Sequence, residues 1–344
     1  MPERGATTSP AASRIDDARW FPVDLHVPER RFGFARLDLD ALERSTFMDT
    51  RLDAALASLE QVPADAFEAP LPPRPPAWLF HTSFCGSTLL ARALHVPPAQ
   101  VALKEPLVLR RLGDARHAGW DVRELCTVTA RLLARPWSDG GGVLVKATHA
   151  ALNVADELLE ATPGSRAVLL TSSLDDFLVS NLKKPRETLE KVPALAERAL
   201  QAGTLHRRLP PQALQPPDLL GAVALQWAAQ RDLVAGLATR HAGRVRVLDF
   251  ADLAHDPVGV SLACSRWWRL PAAADAIRAR AQDVAQRNAK AVDVSYSATQ
   301  RAQEARLVQD RHGDDLTRAR AWAERFVLPA LGALPVTSPP GDWE

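Results

Sequence analysis

Two segments of this chain each read as an apolar strand, a loop of small residues and then a helix: FHTSFCGSTLLARAL (Phe80 to Leu94) and RAVLLTSSLDDFLVSNLKK (Arg166 to Lys184). In the first, Trp78, Leu79 and Phe80 lead into Thr82–Ser87, and Leu89, Leu90, Ala93 and Leu94 recur at helical spacing. A turn of this kind aims several backbone N–H groups and the positive end of a helix dipole at one point. An anion there replaces the missing intrahelical acceptors. Gly86 permits close backbone approach, and Ser87 and Thr88 add hydroxyl donors. No Lys follows the glycine, so the loop is not a Walker A motif and lacks the usual partner of a nucleoside triphosphate.

Further apolar runs at Val101–Leu103, Gly142–Val145 and Arg244–Phe250, with Arg166–Leu170, are separated by helical segments. This alternation predicts a central parallel sheet with helices on both faces, a three-layer, P-loop-like α/β domain. Residues 1–15 are expected to be disordered, and the run APLPPRPPA (Ala69–Ala77) is a stiff connector. Between them, Leu37 to Leu59 carries apolar positions at helical spacing after Asp38 and again after Ser45, predicting a small amino-terminal helical cap. LPPQALQPP (Leu209–Pro217) precedes a long amphipathic helix over Leu219 to Ala242, and an Ala- and Arg-rich helical tail runs from Ala272 to Phe326. The predicted organisation is a disordered 1–15, a cap and Pro-rich connector over 16–76, a core over 77–271 and a helical tail over 272–344.

With 42 basic against 41 acidic residues the net charge is +1, which gives no electrostatic reason to expect a nucleic acid or an anionic membrane as partner. No apolar run approaches a membrane span and MPERGATTSP lacks a signal-peptide core, so the expected location is cytoplasmic. The three cysteines, Cys85, Cys126 and Cys264, are too widely spaced for a disulfide framework or a zinc site, and no metal is expected. Cys85 reads more readily as a small residue filling a tight loop than as a nucleophile, because no base accompanies it.

Candidate chemistry gathers at strand ends, where open α/β sheets place their ligands. The run Val101–Leu103 leads into Lys104 and Glu105; Gly142–Val145 leads into Lys146, Ala147, Thr148 and His149. Lysine is scarce here, limited to Lys104, Lys146, Lys183, Lys184, Lys191 and Lys290. A lysine kept at a strand end in an Arg-rich chain points to a need for a compact, mobile ammonium. His149 and Glu105 each suit a general base, and each also suits a plain structural role, His149 in a helix start or core and Glu105 in a salt bridge.

The segment Val143 to Leu182 resembles the central part of the sulfotransferases that use 3′-phosphoadenosine 5′-phosphosulfate. In that family a strand ends in Lys-Thr-His and a later strand runs into the loop holding the 3′-phosphate. FHTSFCGSTLL resembles the family's 5′-phosphosulfate loop, and Arg244 to Pro271 resembles the strand and Asp-Pro turn of its later helix. The resemblance implies that Cys85, Gly86, Ser87 and Thr88 cradle the 5′ end of the co-substrate and that Ser172 and Ser180 lie at its 3′ end. It implies a catalytic base at His149 or Glu105, with Lys146 and Lys104 as catalytic cations placed to face the sulfate end, and a hydroxyl-bearing acceptor, either a small molecule or a peptide. Two family cations are missing: the basic residue of the 5′ loop aligns with Phe84 and the Arg of the 3′ loop with Ser172. Lys183, Lys184, Arg287 and Lys290 are the candidate replacements by motif position. Two other classes stay open, a P-loop-type phosphotransferase and a catalytically degenerate protein that binds a nucleotide or a partner.

Overall fold

The computed structural model describes residues 16–52, 59–67, 74–288, 291–295, 298–333 and 343. The expected disorder of 1–15 and the candidate Lys290 lie outside the described residues. β1 (Trp20–His26) and β2 (Arg31–Arg36) form an antiparallel pair that β3 (Glu60–Pro63) extends. Phe21, Val23, Leu25, Phe32 and Phe34 are buried on this sheet, the period-2 signature of strands. The amino-terminal unit is therefore largely a sheet, where a helical cap was expected. One helix of that expectation forms, α1 (Leu39–Arg44), started by Asp38, whose carboxylate accepts the Ala41 N–H at 2.7 Å. After Ser45 the residues up to Leu52 are not helical, and 53–58 lie outside the described residues. The Met48 N–H donates to the Lys104 carbonyl at 2.6 Å and the Met48 carbonyl accepts from Leu107 at 2.9 Å, so pairing with the core takes the backbone groups a helix needs.

The core sheet comprises β4 (Ala77–His81), β5 (Gln100–Lys104), β6 (Gly142–Lys146), β7 (Arg166–Thr171) and β8 (Val245–Asp249), all parallel in the order β5-β6-β4-β7-β8. The α/β class and the five strands match the sequence-based expectation, with strand ends shifted by a residue; at the last of them Phe250 opens a helix instead of closing a strand. Both faces of the sheet are covered, which is why the strands are apolar throughout. Trp78, Phe80, Val143, Val145 and Leu169 pack with α3 (Leu107–His117), α4 (Arg123–Leu133) and α5 (Ala155–Ala161). The alternate residues Ala77, Leu79, Leu144, Val168 and Leu170 pack with α2 (Ser87–Ala93), α11 (Pro257–Trp268) and α12 (Ala274–Ala285).

A further apolar cluster joins α6 (Leu174–Leu182), α8 (Val192–Ala202), the long α9 (Leu219–Arg240) and α13 (Ala298–Phe326) through Phe177, Ala196, Val223, Leu316 and Ala319. The short α7 (Arg186–Leu189) and α10 (Phe250–His255) complete the helices used below. The tail is not one helical run: an antiparallel ribbon of β9 (Arg287–Asn288) and β10 (Ala291–Ser295) separates α12 from α13, and α13 itself kinks at His312.

Trp78 is fully buried, stacks on Phe80 at 5.5 Å, and donates its indole N–H to Thr162 Oγ1 at 3.1 Å. Thr162→Val keeps the shape but orphans that donor, so the protein should lose about 1–3 kcal/mol. Urea denaturation should show a lower midpoint with an unchanged slope.

Candidate active site

Because the five strands run the same way, the loops that follow them share one edge of the sheet. β4 is where the winding reverses, with β6 and β5 on one side and β7 and β8 on the other. Open α/β sheets bind ligands at such a reversal, beyond the carboxyl ends of the strands. A pocket of about 380 Å³ opens there, lined by Phe47, Arg51, His81, Ser83 to Leu89, Glu105 and His149.

Its floor is the loop between β4 and α2. Gly86 takes a left-handed φ of 77°, and a Cβ built on it would come within 2.7 Å of the Phe250 ring, so both the conformation and the space demand glycine. Phe84 also has positive φ, at 59°. The Gly86 carbonyl accepts from Leu89 and Leu90 and starts α2, and the Ser83 N–H donates to Gln230 Oε1 at 3.2 Å. The Cys85 thiol donates to the Thr82 carbonyl at 2.9 Å, and burial pushes it up to about 11; it is a packing residue. Thr82 Oγ1 and His81 Nε2, beside the loop, are buried without a hydrogen-bond partner among the described residues.

One wall is an ion pair between Lys146 and Glu105. Lys146 is 1% exposed as a side chain, and its ammonium donates to Glu105 Oε1 while facing the Phe47 ring at 5.3 Å. Glu105 holds a left-handed φ of 58°, and its N–H donates to the Lys146 carbonyl at 2.8 Å, so backbone and side chain are tied to the same residue. Burial alone would raise the Glu105 carboxyl, but the Lys146 charge overrides it and holds the group at about 2. Burial depresses His149, against the pull of Glu105.

Lys104 leaves this pocket. Its ammonium donates to the Leu42 carbonyl of α1, and it lies in a second charged cluster with Glu43, Arg92, His95 and Arg280. Burial first, then Arg92, lowers it to about 7.

The loop after β7 places the remaining candidates. Ser172 is buried, its hydroxyl without a hydrogen-bond partner among the described residues and its carbonyl accepting from Trp227 Nε1 at 2.9 Å. Ser173 caps α6, and Ser180 is half-buried on that helix. Lys184 stands 5.3 Å above the Phe84 ring, and Lys183 pairs with Glu304 of α13 at 3.1 Å. Arg287 is exposed and pairs with Asp283 at 2.6 Å. The tail instead brings Arg301 to the site, 5.5 Å from the ring of Phe250 that abuts Gly86.

Four of these residues escaped the sequence reading. His81 was detectable, since it ends β4 as Glu105 follows β5 and Lys146 ends β6. Phe47 and Arg51 carry no local signal, because only the Met48–Lys104 pairing brings their segment over the pocket, and Arg301 depends on where the tail packs.

No family model and no curated protein matches the chain. Among solved structures it is similar to a sulfotransferase domain from the curacin biosynthetic pathway, at 10% identity and TM-score 0.39, covering 70% of this chain and 98% of that one. A sulfotransferase from Mycobacterium avium aligns at 13% identity and TM-score 0.40 over 73% of this chain and 78% of its own. One from Alicyclobacillus acidocaldarius aligns at 16% identity and TM-score 0.36 over 75% and 98%. Likeness at these TM-scores assigns neither an activity nor a residue role to this chain.

Lys146→Ala leaves the half-buried Glu105 carboxylate unpaired and should cost about 3 kcal/mol, whereas Lys146→Met combined with Glu105→Gln should recover most of that loss in thermal unfolding. The sign of the pH effect follows from the lowered Glu105. Its stabilisation is complete above its ordinary 4.5 and is lost as pH falls towards about 2, so the acid limb of the stability curve should flatten in the double variant. For Lys104 the cost of charging is absent above its ordinary 10.5, appears as pH falls and is full below about 7. Lys104→Met should therefore gain stability relative to the wild type as pH drops across that window, read by urea midpoints at pH 7 and 10.

Proposed function

We propose that the chain is a divergent sulfotransferase that moves a sulfuryl group from 3′-phosphoadenosine 5′-phosphosulfate to a hydroxyl acceptor. The observation that carries this reading is the meeting, in one pocket at the sheet's reversal point, of the glycine loop Ser83–Thr88 with Glu105 and His149. The sequence resemblance assigns those segments separately to the 5′ end of the donor and to the reacting end.

In this reading the backbone of Cys85 to Thr88 holds the 5′-phosphosulfate, with the Ser87 and Thr88 hydroxyls beside it. Sulfuryl transfer, like phosphoryl transfer, needs an in-line acceptor, charge to neutralise the leaving phosphate, and a destination for the acceptor's proton. Lys146 is the cation nearest the reacting end, but it already neutralises Glu105. The donor's charge falls instead to the cations on the rim. Lys184 stands over Phe84, the position where the family's 5′ loop is basic, and Lys183 and Arg301 lie on the elements that meet around α6 and Phe250. Phe47 and Arg51 also line the pocket and are the residues assigned to the acceptor.

Isothermal titration calorimetry with 3′-phosphoadenosine 5′-phosphate tests the donor. The nucleotide is expected to bind, and at a hundred times its Kd to raise stability by about 2.7 kcal/mol. Lys184→Ala should weaken it by about tenfold or more, the scale of one charge-assisted contact, and by a similar factor for its 3′-dephospho analogue, which keeps the 5′-phosphate that Lys184 would face. Absence of heat at millimolar nucleotide, with binding of ATP–Mg²⁺ in its place, would move the chain to the phosphotransferase class.

A further inference from the structure

We propose that His81 is a catalytic residue, the group that receives the acceptor's proton through Nε2; the role rests on the sulfuryl-transfer reading above. His81 closes β4 at the pocket wall, 4% exposed, with Leu170 of β7 beside it in register. Its Nδ1 lies 2.8 Å from the Thr82 carbonyl oxygen. A carbonyl only accepts, so Nδ1 carries the ring's hydrogen and Nε2 presents a bare lone pair. That nitrogen is buried, has no hydrogen-bond partner among the described residues, and belongs to a side chain lining the pocket. A buried acceptor left unmatched costs free energy, and a substrate O–H placed against it removes that cost.

The neighbours fit the role. Glu105 Oε1 lies 3.8 Å from Nε2, too far to hydrogen-bond it but close enough to stabilise positive charge arriving on the ring. Glu105 is a poorer destination for the proton, because Lys146 already holds the same oxygen. Burial first, then the Lys146 charge, keeps the His81 ring neutral by lowering it to about 3. A base that weak still serves here, since an attacking hydroxyl becomes strongly acidic as its oxygen bonds to sulfur. In the step, the acceptor's O–H bond breaks and its proton passes to Nε2 while the new O–S bond forms. The S–O bond to the phosphate of the phosphosulfate donor breaks, its electron pair leaves with the nucleotide, and the imidazolium returns the proton to solvent after product release.

Two measurements on the full chain test this. Long-range ¹⁵N–¹H spectra of the histidine rings should show His81 with one proton, on Nδ1, from pH 5 to pH 8. A proton on Nε2, or a ring that titrates in that range, overturns the proposal whether or not any nucleotide binds. The second is single-turnover release of 3′-phosphoadenosine 5′-phosphate from the donor, with 2-naphthol as probe acceptor and water as the background one. His81→Gln keeps an acceptor atom near the Nε2 position, and His81→Asn keeps a donor for the Thr82 carbonyl. Both should slow release by about 10²–10⁴-fold while calorimetric affinity for the product nucleotide stays within about twofold. Release within about threefold of wild type in either folded variant overturns the role. A wild-type chain that binds no nucleotide overturns the transferase reading itself, an outcome distinct from a mobile or Nε2-protonated ring.

Discussion

The Lys146–Glu105 pair is the interaction on which the pocket depends. Glu105 follows β5 in a left-handed conformation that a non-glycine residue adopts only under constraint, and the constraint is visible: its N–H is bound by the Lys146 carbonyl and its carboxylate by the Lys146 ammonium. The pair turns the chain after β5 towards the glycine loop. It also sets the electrostatics of its neighbours. Burial first, then Lys146, discourages positive charge at His81, and the Glu105 carboxylate beside the ring partly opposes that effect. A buried ammonium and a half-buried carboxylate thus give a pocket wall with almost no net charge.

The five core strands were legible because a sheet covered on both faces demands continuous apolar runs, and these stand out between helical stretches. The glycine loop was legible for a local reason too, since the left-handed φ of Gly86 leaves few alternatives. The amino-terminal sheet was missed although Phe21, Val23 and Leu25 alternate, because the Pro22 and Asp24 between them, where the β1–β2 register shifts, break the strand signal. The break of the helical pattern after Ser45 was not readable at all. It results from Met48 pairing with Lys104 and Leu107, residues far away in sequence, and this pairing delivers Phe47 and Arg51 to the site.

Strand-end lysines illustrate the same limit. Lys104 and Lys146 are register partners on adjacent strands and were indistinguishable as sequence. Their ammonium groups have different surroundings only because α1 offers Lys104 a carbonyl at Leu42, whereas Lys146 finds Glu105. A parallel sheet brings both lysines to the same edge, and the covering elements decide which one reaches the pocket.

The core domain by itself builds only part of this pocket. Its floor and one wall come from β4, β5, β6 and the loops after them, but Phe47 and Arg51 of the amino-terminal unit also line it, with Arg51 Nε bonded to Asp49 at 2.7 Å and its guanidinium 4.0 Å from the Phe47 ring. The rim cations depend on the tail in the same way: Glu304 of α13 holds Lys183, and Arg301 lies over Phe250. The two loops themselves commit Phe84 and Ser172 to packing. Lys184, just past the end of α6, stands over the Phe84 ring while that ring packs edge-on against Phe177 at 5.7 Å, and the buried Ser172 gives its carbonyl to Trp227. An arginine at 172 would have to bury its charge in that space, so the packing around this fully buried serine excludes a cation there.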